Sequence, residues 1–282
     1  MAFSIKNMFS NKGIEGETVK AEAPKMTPAE EAWDLAKTVF FAVAIALVLR
    51  IVIFQPFNIP SGSMKPNLLV GDFLIVSKPT FGYSRASLVY PLTRLPLEGR
   101  LLGGTPDRGD VVVFKNRMDG NKDYIKRVVG MPGDQIRMMN GVLHINGVAV
   151  QKEQAVEVNV ADCRYTGAAA PVYRETLPNG ITYIVQECSG DTGAYDNVGP
   201  YQIPADCFFM MGDNRDESQD SRVTSAVGSG TSCGLSGAVH KNDIVGRAER
   251  LFFSVDGSDA KFWQIWKWPF AIRYGRLLDK VE

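Results

Sequence analysis

The sequence predicts a mainly β protein in which antiparallel sheets follow one N-terminal transmembrane helix. One long apolar run lies near the N-terminus, and after it helical periodicity gives way to short β-branched and aromatic runs separated by turn residues. Asn140-Gly141 and Asn146-Gly147 flank Val142–Ile145, and Asn-Gly is the strongest short signal for a hairpin. We therefore expect an antiparallel β ectodomain behind a single anchor.

The composition argues against several classes of protein. The 282 residues carry a formal net charge of zero, so no overall field attracts nucleic acid, and we expect no nucleic-acid partner. The two histidines, His144 and His240, are too few for a histidine-rich metal site, and the four cysteines lack the C-x-x-C spacing of zinc or thioredoxin-like motifs. We expect neither a metal nor a cofactor.

The apolar run from Thr38 to Phe54 predicts the anchor, which we place within residues 31–54. It carries one charge, Arg50, near an end where the side chain can reach the headgroups, and Trp33 precedes it at an interface position. As an α-helix this run would be roughly 25 Å long, which is close to the minimum needed to cross a bilayer core. A buried core helix and a cleaved signal peptide are the alternatives.

The distribution of lysine predicts the orientation of the anchor. Residues 1–30 have little periodicity and indicate a flexible tail, and Thr27-Pro28 offers a helix start. Lysines precede the span at several positions, whereas Lys65 stands alone over the twenty or so residues after it. The preceding lysines are Lys6, Lys12, Lys20, Lys25 and Lys37. The positive-inside rule then places the N-terminus in the cytoplasm and the chain from about Gln55 outside.

The ectodomain divides into three parts by composition. A catalytic β domain comprises residues 55–151 and 205–260, and a motif-free stretch at 152–204 indicates an inserted subdomain. Residues 261–282 are aromatic and basic, with Trp263, Trp266 and Trp268 close together. This last segment is either an ordinary apolar helix that covers the sheet or an element that rests on the membrane surface. The expected strands are FLIVSK (73–78), DVVVFK (110–115), YIKRVVG (124–130), GVLHINGVAV (141–150), FFMMGD (208–213) and RAERLFFSV (247–255).

Three motifs carry the chemistry. The first is a Pro-Ser-Gly turn over Phe57–Met64, close to the anchor, and the second is a lysine inside an apolar strand over Asp123–Gly130. The third is a polar run, Gly212–Arg222, dense in Asp, Ser and Arg. Each alone has an ordinary explanation: a turn, an exposed strand residue and a solvated loop. Their order along the chain is much more specific than any one of them.

In order, PSGSM, GDFLIVSK, RGDVVVFK, DYIKRVVGMPGD and GDNRDESQDSR resemble the conserved boxes of bacterial type I signal peptidases, the leader peptidases with a Ser–Lys dyad. The resemblance runs from the anchor to about Val255 and omits roughly 152–206. It implies a signal-peptidase-like β fold with Ser63 as nucleophile and Lys126 as general base. It also implies that the Ser61 hydroxyl joins the Ser63 N–H in an oxyanion hole, and that Ser218 orients the lysine amine. The structural supports that it implies are Arg127, Asp220 and Arg222.

Physical chemistry agrees with this assignment. Neither histidine lies in a motif, so a Ser-His-Asp triad has no good candidate. An ordinary lysine is almost fully protonated at pH 7 and cannot act as a base, but burial lowers its pKa. Tyr124, Ile125, Val128 and Val129 supply an apolar setting around Lys126.

The resemblance also implies the substrate, the location and the partners. The substrate is a secretory preprotein whose signal peptide binds in extended form, with small residues one and three places before the cut. The enzyme sits in the lipid bilayer of the bacterial inner (cytoplasmic) membrane, with its catalytic domain on the periplasmic face and the secretion translocon nearby. Residues expected to line the binding pockets are Phe57, Ile59, Pro60, Met64, Leu68, Leu74, Asp123, Tyr124 and Ile125.

Three alternative interpretations can be distinguished from this one. A specialised relative that processes one pilus or conjugation substrate would cut a single protein rather than many. A self-cleaving repressor uses similar chemistry, but this chain has an anchor where a DNA-binding helix pair would lie. An inactive membrane scaffold is disfavoured by the retained serines and lysine.

Four cysteines outside the cytoplasm are expected to be oxidised. They allow three pairings, among which the sequence does not choose, and free buried thiols are the alternative. Our working expectation is Cys163–Cys188 within the insertion and Cys207–Cys233 across the GDNRDESQDSR loop.

Overall fold

The anchor is an α-helix, α1, from Pro28 to Val52. Thr27 caps it as the sequence predicts: the Glu30 N–H donates to Thr27 Oγ1 at 3.4 Å, and the Thr27 N–H donates to Glu30 Oε2 at 2.7 Å. The computed structural model describes residues 27–88, 92–94, 96–155, 163, 170–234, 237–256 and 264–281. Within these ranges one helix is long and apolar enough to cross a membrane, Pro28–Arg50, and none of it is buried. A membrane anchor is therefore compatible with the structure, whereas most of the predicted tail, residues 1–30, lies outside the described ranges.

Short strands in antiparallel pairs are the main regular structure in the rest of the described chain. In chain order they are β1 Phe54–Asn58, β2 Asp72–Ser77, β3 Tyr83–Ser84, β4 Arg100–Leu101, β5 Val111–Asn116, β6 Lys122–Gly130, β7 Gln135–Met139, β8 Val142–Ile145, β9 Val148–Ala149, β10 Gln151–Gln154, β11 Val172–Thr176, β12 Thr182–Gln186, β13 Val198–Gln202, β14 Cys207–Met211, β15 Val239–His240 and β16 Ile244–Ser254. A short helix, α2, spans Trp268–Ala271 near the C-terminus.

Seven of the strands form the central sheet, in the order β1-β2-β16-β5-β6-β14-β15. All its strand pairs are antiparallel. Each strand expected from the sequence lies in a strand or hairpin of the structure, so the predicted fold class, antiparallel β behind one apolar helix, is confirmed. The β8–β9 hairpin turns at Asn146-Gly147, where both residues have positive φ, as an Asn-Gly turn requires.

The remaining strands form smaller sheets. One has the order β13-β7-β8-β9, another has the order β10-β11-β12, and β3 pairs with β4. Strand β13 lies within the range predicted as an insertion, 152–204, yet it pairs with β7, which lies outside that range. The three strands of the β10-β11-β12 sheet lie in the same range, except that β10 begins one residue before it, at Gln151.

Both expected disulfides are present. Cys163 pairs with Cys188, with Cα atoms 5.7 Å apart, and Cys207 pairs with Cys233, with Cα atoms 6.0 Å apart. The pairing that we expected is confirmed. The second bridge spans the polar run Gly212–Arg222 in sequence, so it ties the ends of the segment that carries the third motif.

Candidate active site

The structure brings Ser63 and Lys126 into contact. Lys126 Nζ lies 2.7 Å from Ser63 Oγ and 2.9 Å from the Ile125 carbonyl oxygen. Both residues are buried, with 3% of Lys126 and 7% of Ser63 exposed. Because 63 positions separate them in sequence, only the fold creates this pair.

Burial of Lys126 follows from its place in the sheet. It lies on β6, between β5 and β14, opposite Val112. Burial lowers the pKa of the Lys126 amine from 10.5 to about 8, although the carboxylates of Asp220 and Asp213 act in the opposite direction. A substantial fraction of the amine is therefore neutral at mildly alkaline pH and can accept a proton.

The turn over Phe57–Met64, which carries the candidate nucleophile Ser63 and is called the nucleophile turn below, also presents candidate oxyanion donors. Ser61 Oγ lies 3.5 Å from Ser63 Oγ, and Ser61 is exposed at the surface. The backbone N–H of Ser63 donates no hydrogen bond to the described residues. A second hydroxyl and a backbone N–H beside one candidate nucleophile are the kind of donors that stabilise a tetrahedral oxyanion.

Ser218 does not make the contact that we expected. Its side chain is buried, and no hydrogen bond joins its hydroxyl to Lys126. The hydroxyl instead neighbours the Asp220 carboxyl, whose pKa it helps to lower. It lies against Gly212, where a Cβ would come within 2.2 Å of Ser218 Oγ. The second contact of the Lys126 amine is with the Ile125 carbonyl instead. Ser218 therefore packs beside the site without holding the amine.

The expected supports form two buried ion pairs. Arg127 donates from Nε and Nη2 to the two carboxylate oxygens of Asp213, each at 2.8 Å. Arg222 donates from Nε and Nη2 to Asp220, at 2.9 and 2.8 Å. Asp220 also accepts from the Gly212 N–H at 3.0 Å. The bidentate Arg127–Asp213 pair fixes the polar loop against β6, whereas the Arg222–Asp220 pair lies within the loop.

The polar loop also holds the nucleophile turn, a function that the sequence reasoning missed. The Asn214 N–H donates to the Ser63 carbonyl at 3.1 Å, and Asn214 Nδ2 donates to the Gly62 carbonyl at 3.2 Å. From the other side, Asn67 Nδ2 donates to Asp213 Oδ2 and to the Ile184 carbonyl, both at 2.7 Å. Asn214 lies within a quoted motif, but nothing in its spacing indicates these partners.

A further pair links the loop to the three-stranded sheet. Arg215, in the loop, is ion-paired with Glu175 on β11, and Tyr183 on β12 donates to Glu175 at 2.8 Å. All three side chains are buried. Glu175 lies in the motif-free range, so no sequence pattern indicated its role.

The residues expected to line the substrate pockets fall into two groups. Ile59, Met64, Leu68 and Leu74 are buried in one apolar cluster, with Phe57 and Ile125 partly exposed at its edge. The buried members can form only the floor of a pocket. The remaining three are more accessible: Pro60 and Asp123 are exposed and Tyr124 is half-buried. Asp123 is ion-paired with Lys115 at 2.8 Å.

No group of three His, Cys, Asp or Glu side chains among the described residues is placed to hold a metal ion. The chemistry available at this site is that of a serine hydroxyl and a lysine amine. An antiparallel β protein with an apolar helix and this buried pair has the features of a hydrolase of the serine type.

Comparison with known proteins identifies the family. The family model described as "Signal peptidase, peptidase S26" matches residues 32–253. The chain belongs to this signal peptidase family and is a membrane-anchored enzyme.

Named relatives and one solved structure are similar to the chain. Signal peptidase I of Rickettsia typhi is 36% identical over 220 residues, which cover 76% of this chain and 77% of the relative. Signal peptidase I of Rickettsia conorii is 38% identical over 190 residues, which cover 65% and 69%. The crystal structure of a signal peptidase I from Enterococcus faecalis is 20% identical, with a TM-score of 0.27, and covers 51% of this chain and 97% of its own.

Proposed function

We propose that this enzyme removes signal peptides from secretory preproteins, with Ser63 as nucleophile and Lys126 as general base. The observation that carries the proposal is the 2.7 Å contact between Lys126 Nζ and Ser63 Oγ, together with the lowered pKa of that amine. A neutral amine at hydrogen-bonding distance is what a serine hydroxyl needs in order to be activated.

The reaction follows in two stages. In the first, neutral Lys126 takes the Ser63 proton as Oγ attacks the scissile carbonyl. The tetrahedral intermediate collapses when Lys126 returns that proton to the leaving amine, and an ester between Ser63 and the signal peptide is left. In the second, Lys126 takes a proton from water, the resulting hydroxide attacks the ester, and Ser63 leaves with the proton. The Ser63 N–H and the Ser61 hydroxyl stabilise the oxyanion in both stages.

Substrate selection would use the apolar cluster beside the dyad. Phe57 and Ile125 lie at its accessible edge over a floor that includes Met64 and Leu74. A shallow floor accepts small side chains and rejects large ones. An extended peptide that adds alongside the nucleophile turn presents alternate residues to one face, which matches a rule of small residues one and three places before the cut.

The anchor supports a location at the membrane surface from which the substrate emerges. The lysine bias favours an N-terminus in the cytoplasm and a catalytic domain on the periplasmic face of the inner membrane, near the secretion translocon that delivers preproteins. Trp266 and Phe270 are 69% and 89% exposed, which supports a contact between the C-terminal segment and lipid. Trp263 lies outside the described residues.

The test is cleavage of a labelled preprotein by the detergent-solubilised full chain. Wild type should release the signal peptide at a single site, and Ser63→Ala should release none while it inserts into membranes as wild type does. Cleavage by Ser63→Ala at the wild-type rate would refute the proposal.

A further inference from the structure

The peptide unit between Gly62 and Ser63 determines where the Ser63 N–H points. A peptide unit is rigid and planar, and its C=O and N–H point in opposite directions. Any group that fixes the Gly62 carbonyl therefore also aims the Ser63 N–H. Because Gly62 has no Cβ, the backbone at this point is freer to rotate than at other residues. Hydrogen bonds to this peptide unit are therefore needed to keep the N–H aimed as an oxyanion donor.

Two donors hold the Gly62 carbonyl. The Lys65 N–H donates to it from within the turn at 3.1 Å, and the Asn214 side chain donates to it from the polar loop at 3.2 Å. The Asn214 N–H holds the next carbonyl, that of Ser63, at 3.1 Å. One residue thus contacts both peptide units that flank the nucleophile.

Asn214 is itself held rigidly. Its neighbours in the loop pair with Gln186 at the end of β12: the Arg215 N–H donates to the Gln186 carbonyl at 2.9 Å, and the Gln186 N–H donates to the Asp213 carbonyl at 2.8 Å. The amide orientation is determined as well, because both side-chain contacts of Nδ2, the Gly62 carbonyl and a Glu217 carboxylate oxygen, are acceptors.

The buried amide also has an unpaired end. Asn214 is 0% exposed, and its Oδ1 has no hydrogen-bonding partner in the described ranges. A buried carbonyl without a partner destabilises a fold, so an apolar residue of similar shape would suit this position better if packing were its only role.

We propose that Asn214 is a positioning residue that aims the Ser63 N–H into the oxyanion hole. This inference rests on the proposed function, since it assumes that Ser63 is the nucleophile and that its N–H receives the oxyanion. Asn214 touches no reacting atom, so its effect is confined to the alignment of the donor.

The test compares the binding of a transition-state mimic with that of a ground-state peptide. A peptide aldehyde ending in Ala-x-Ala adds to Ser63 Oγ, whose proton passes to Lys126, and the hemiacetal oxygen occupies the oxyanion hole; the corresponding peptide alcohol forms no such bond. Asn214→Leu in the full solubilised chain removes the donor and the unpaired acceptor together. Losing a whole oxyanion donor lowers kcat by roughly 10²–10³, and we expect misalignment to lower kcat and aldehyde affinity by about 10- to 100-fold.

Three further readouts separate positioning from general damage. Affinity for the alcohol should stay within about twofold of wild type, and the acid limb of the pH–rate profile should not move, because Lys126 is untouched. Asn67→Leu serves as the matched control, since Asn67 contacts the same loop through Asp213 but does not reach the Gly62 carbonyl. Its ratio of aldehyde to alcohol affinity should equal that of wild type. Asn214→Ala is measured in parallel in case the leucine variant does not fold.

Equal losses of aldehyde and alcohol affinity, or wild-type kcat in folded Asn214 variants, would overturn the inference. The proposed function would instead be overturned if wild type bound the aldehyde no better than the alcohol, or if Ser63→Ala still cleaved the preprotein. The two failures are therefore distinguishable.

Discussion

Replacing Lys126 with methionine should abolish activity without destabilising the protein at pH 7. The folded protein lowers the pKa of this amine from 10.5 to about 8, chiefly through burial. Since each pKa unit corresponds to about 1.4 kcal/mol, keeping this lysine buried destabilises the folded state at neutral pH by roughly 3 kcal/mol relative to an uncharged side chain. Methionine loses the contacts with Ser63 and Ile125, but it has no ionisable group whose burial destabilises the folded state. Lys126→Met should therefore be at least as stable as wild type.

The pH dependence gives the sharper form of this prediction. Between pH 8 and 10.5 the unfolded chain binds a proton that the folded chain has released, so wild-type stability rises with pH through this window. The destabilisation that the buried Lys126 amine causes falls from roughly 3 kcal/mol at pH 7 to under about 1 kcal/mol at pH 10. The stability advantage of Lys126→Met should therefore shrink by roughly 2 kcal/mol between these pH values, whatever the contribution of the lost contacts.

Denaturant unfolding of both proteins at pH 7, 8, 9 and 10 measures this difference. Lys122→Met is the matched control, because Lys122 lies on the same strand but is exposed, and its contact with Asp119 raises its pKa. The control should be no more stable than wild type at any of these pH values. A Lys126→Met protein that is much less stable at pH 7, with a difference that does not change with pH, would show that Lys126 is a charged structural residue.

Three other outcomes are expected. Ser61→Ala should lower kcat by roughly 10²–10³, the effect of one oxyanion donor, in preprotein cleavage assays, and an unchanged rate would exclude its hydroxyl from the oxyanion hole. Mass mapping of unreduced peptides should find no alkylatable thiols, and loss of the Cys207–Cys233 bridge should lower stability by roughly 3 kcal/mol in denaturant unfolding. In vesicles with brominated lipid, wild type should show more tryptophan quenching than Trp266→Phe; equal quenching would mean that Trp266 does not contact lipid.

The fold class and the dyad were predictable from the sequence for different reasons. Each expected strand carried its own local pattern, and the Asn-Gly pairs marked the hairpin around β8. The pairing of Ser63 with Lys126 came from the resemblance of the ordered motifs to those of type I signal peptidases, since neither residue is distinctive alone. Both disulfide partners were expected but not determined by the sequence, because spacing leaves three pairings open.

The parts that the sequence did not predict depend on contacts between distant segments. Asn214 reaches Gly62 across 152 positions, and Glu175 meets Arg215 across 40. The expected bond between Ser218 and Lys126 is absent from the structure, in which the Ser218 side chain lies against Gly212. Met64 and Leu74 were expected to line a pocket; both are buried in one apolar cluster, and a local pattern does not determine that burial.

The most direct test of the central claim, that neutral Lys126 activates Ser63, is the pH dependence of kcat/KM for preprotein cleavage by the solubilised full chain. This quantity reports the ionisation of the free enzyme. It should rise with pH through an apparent pKa of about 8, the value that burial gives the Lys126 amine. The claim would be contradicted if kcat/KM rose through an apparent pKa of about 6.5, the ordinary value for histidine, or did not change with pH across this range.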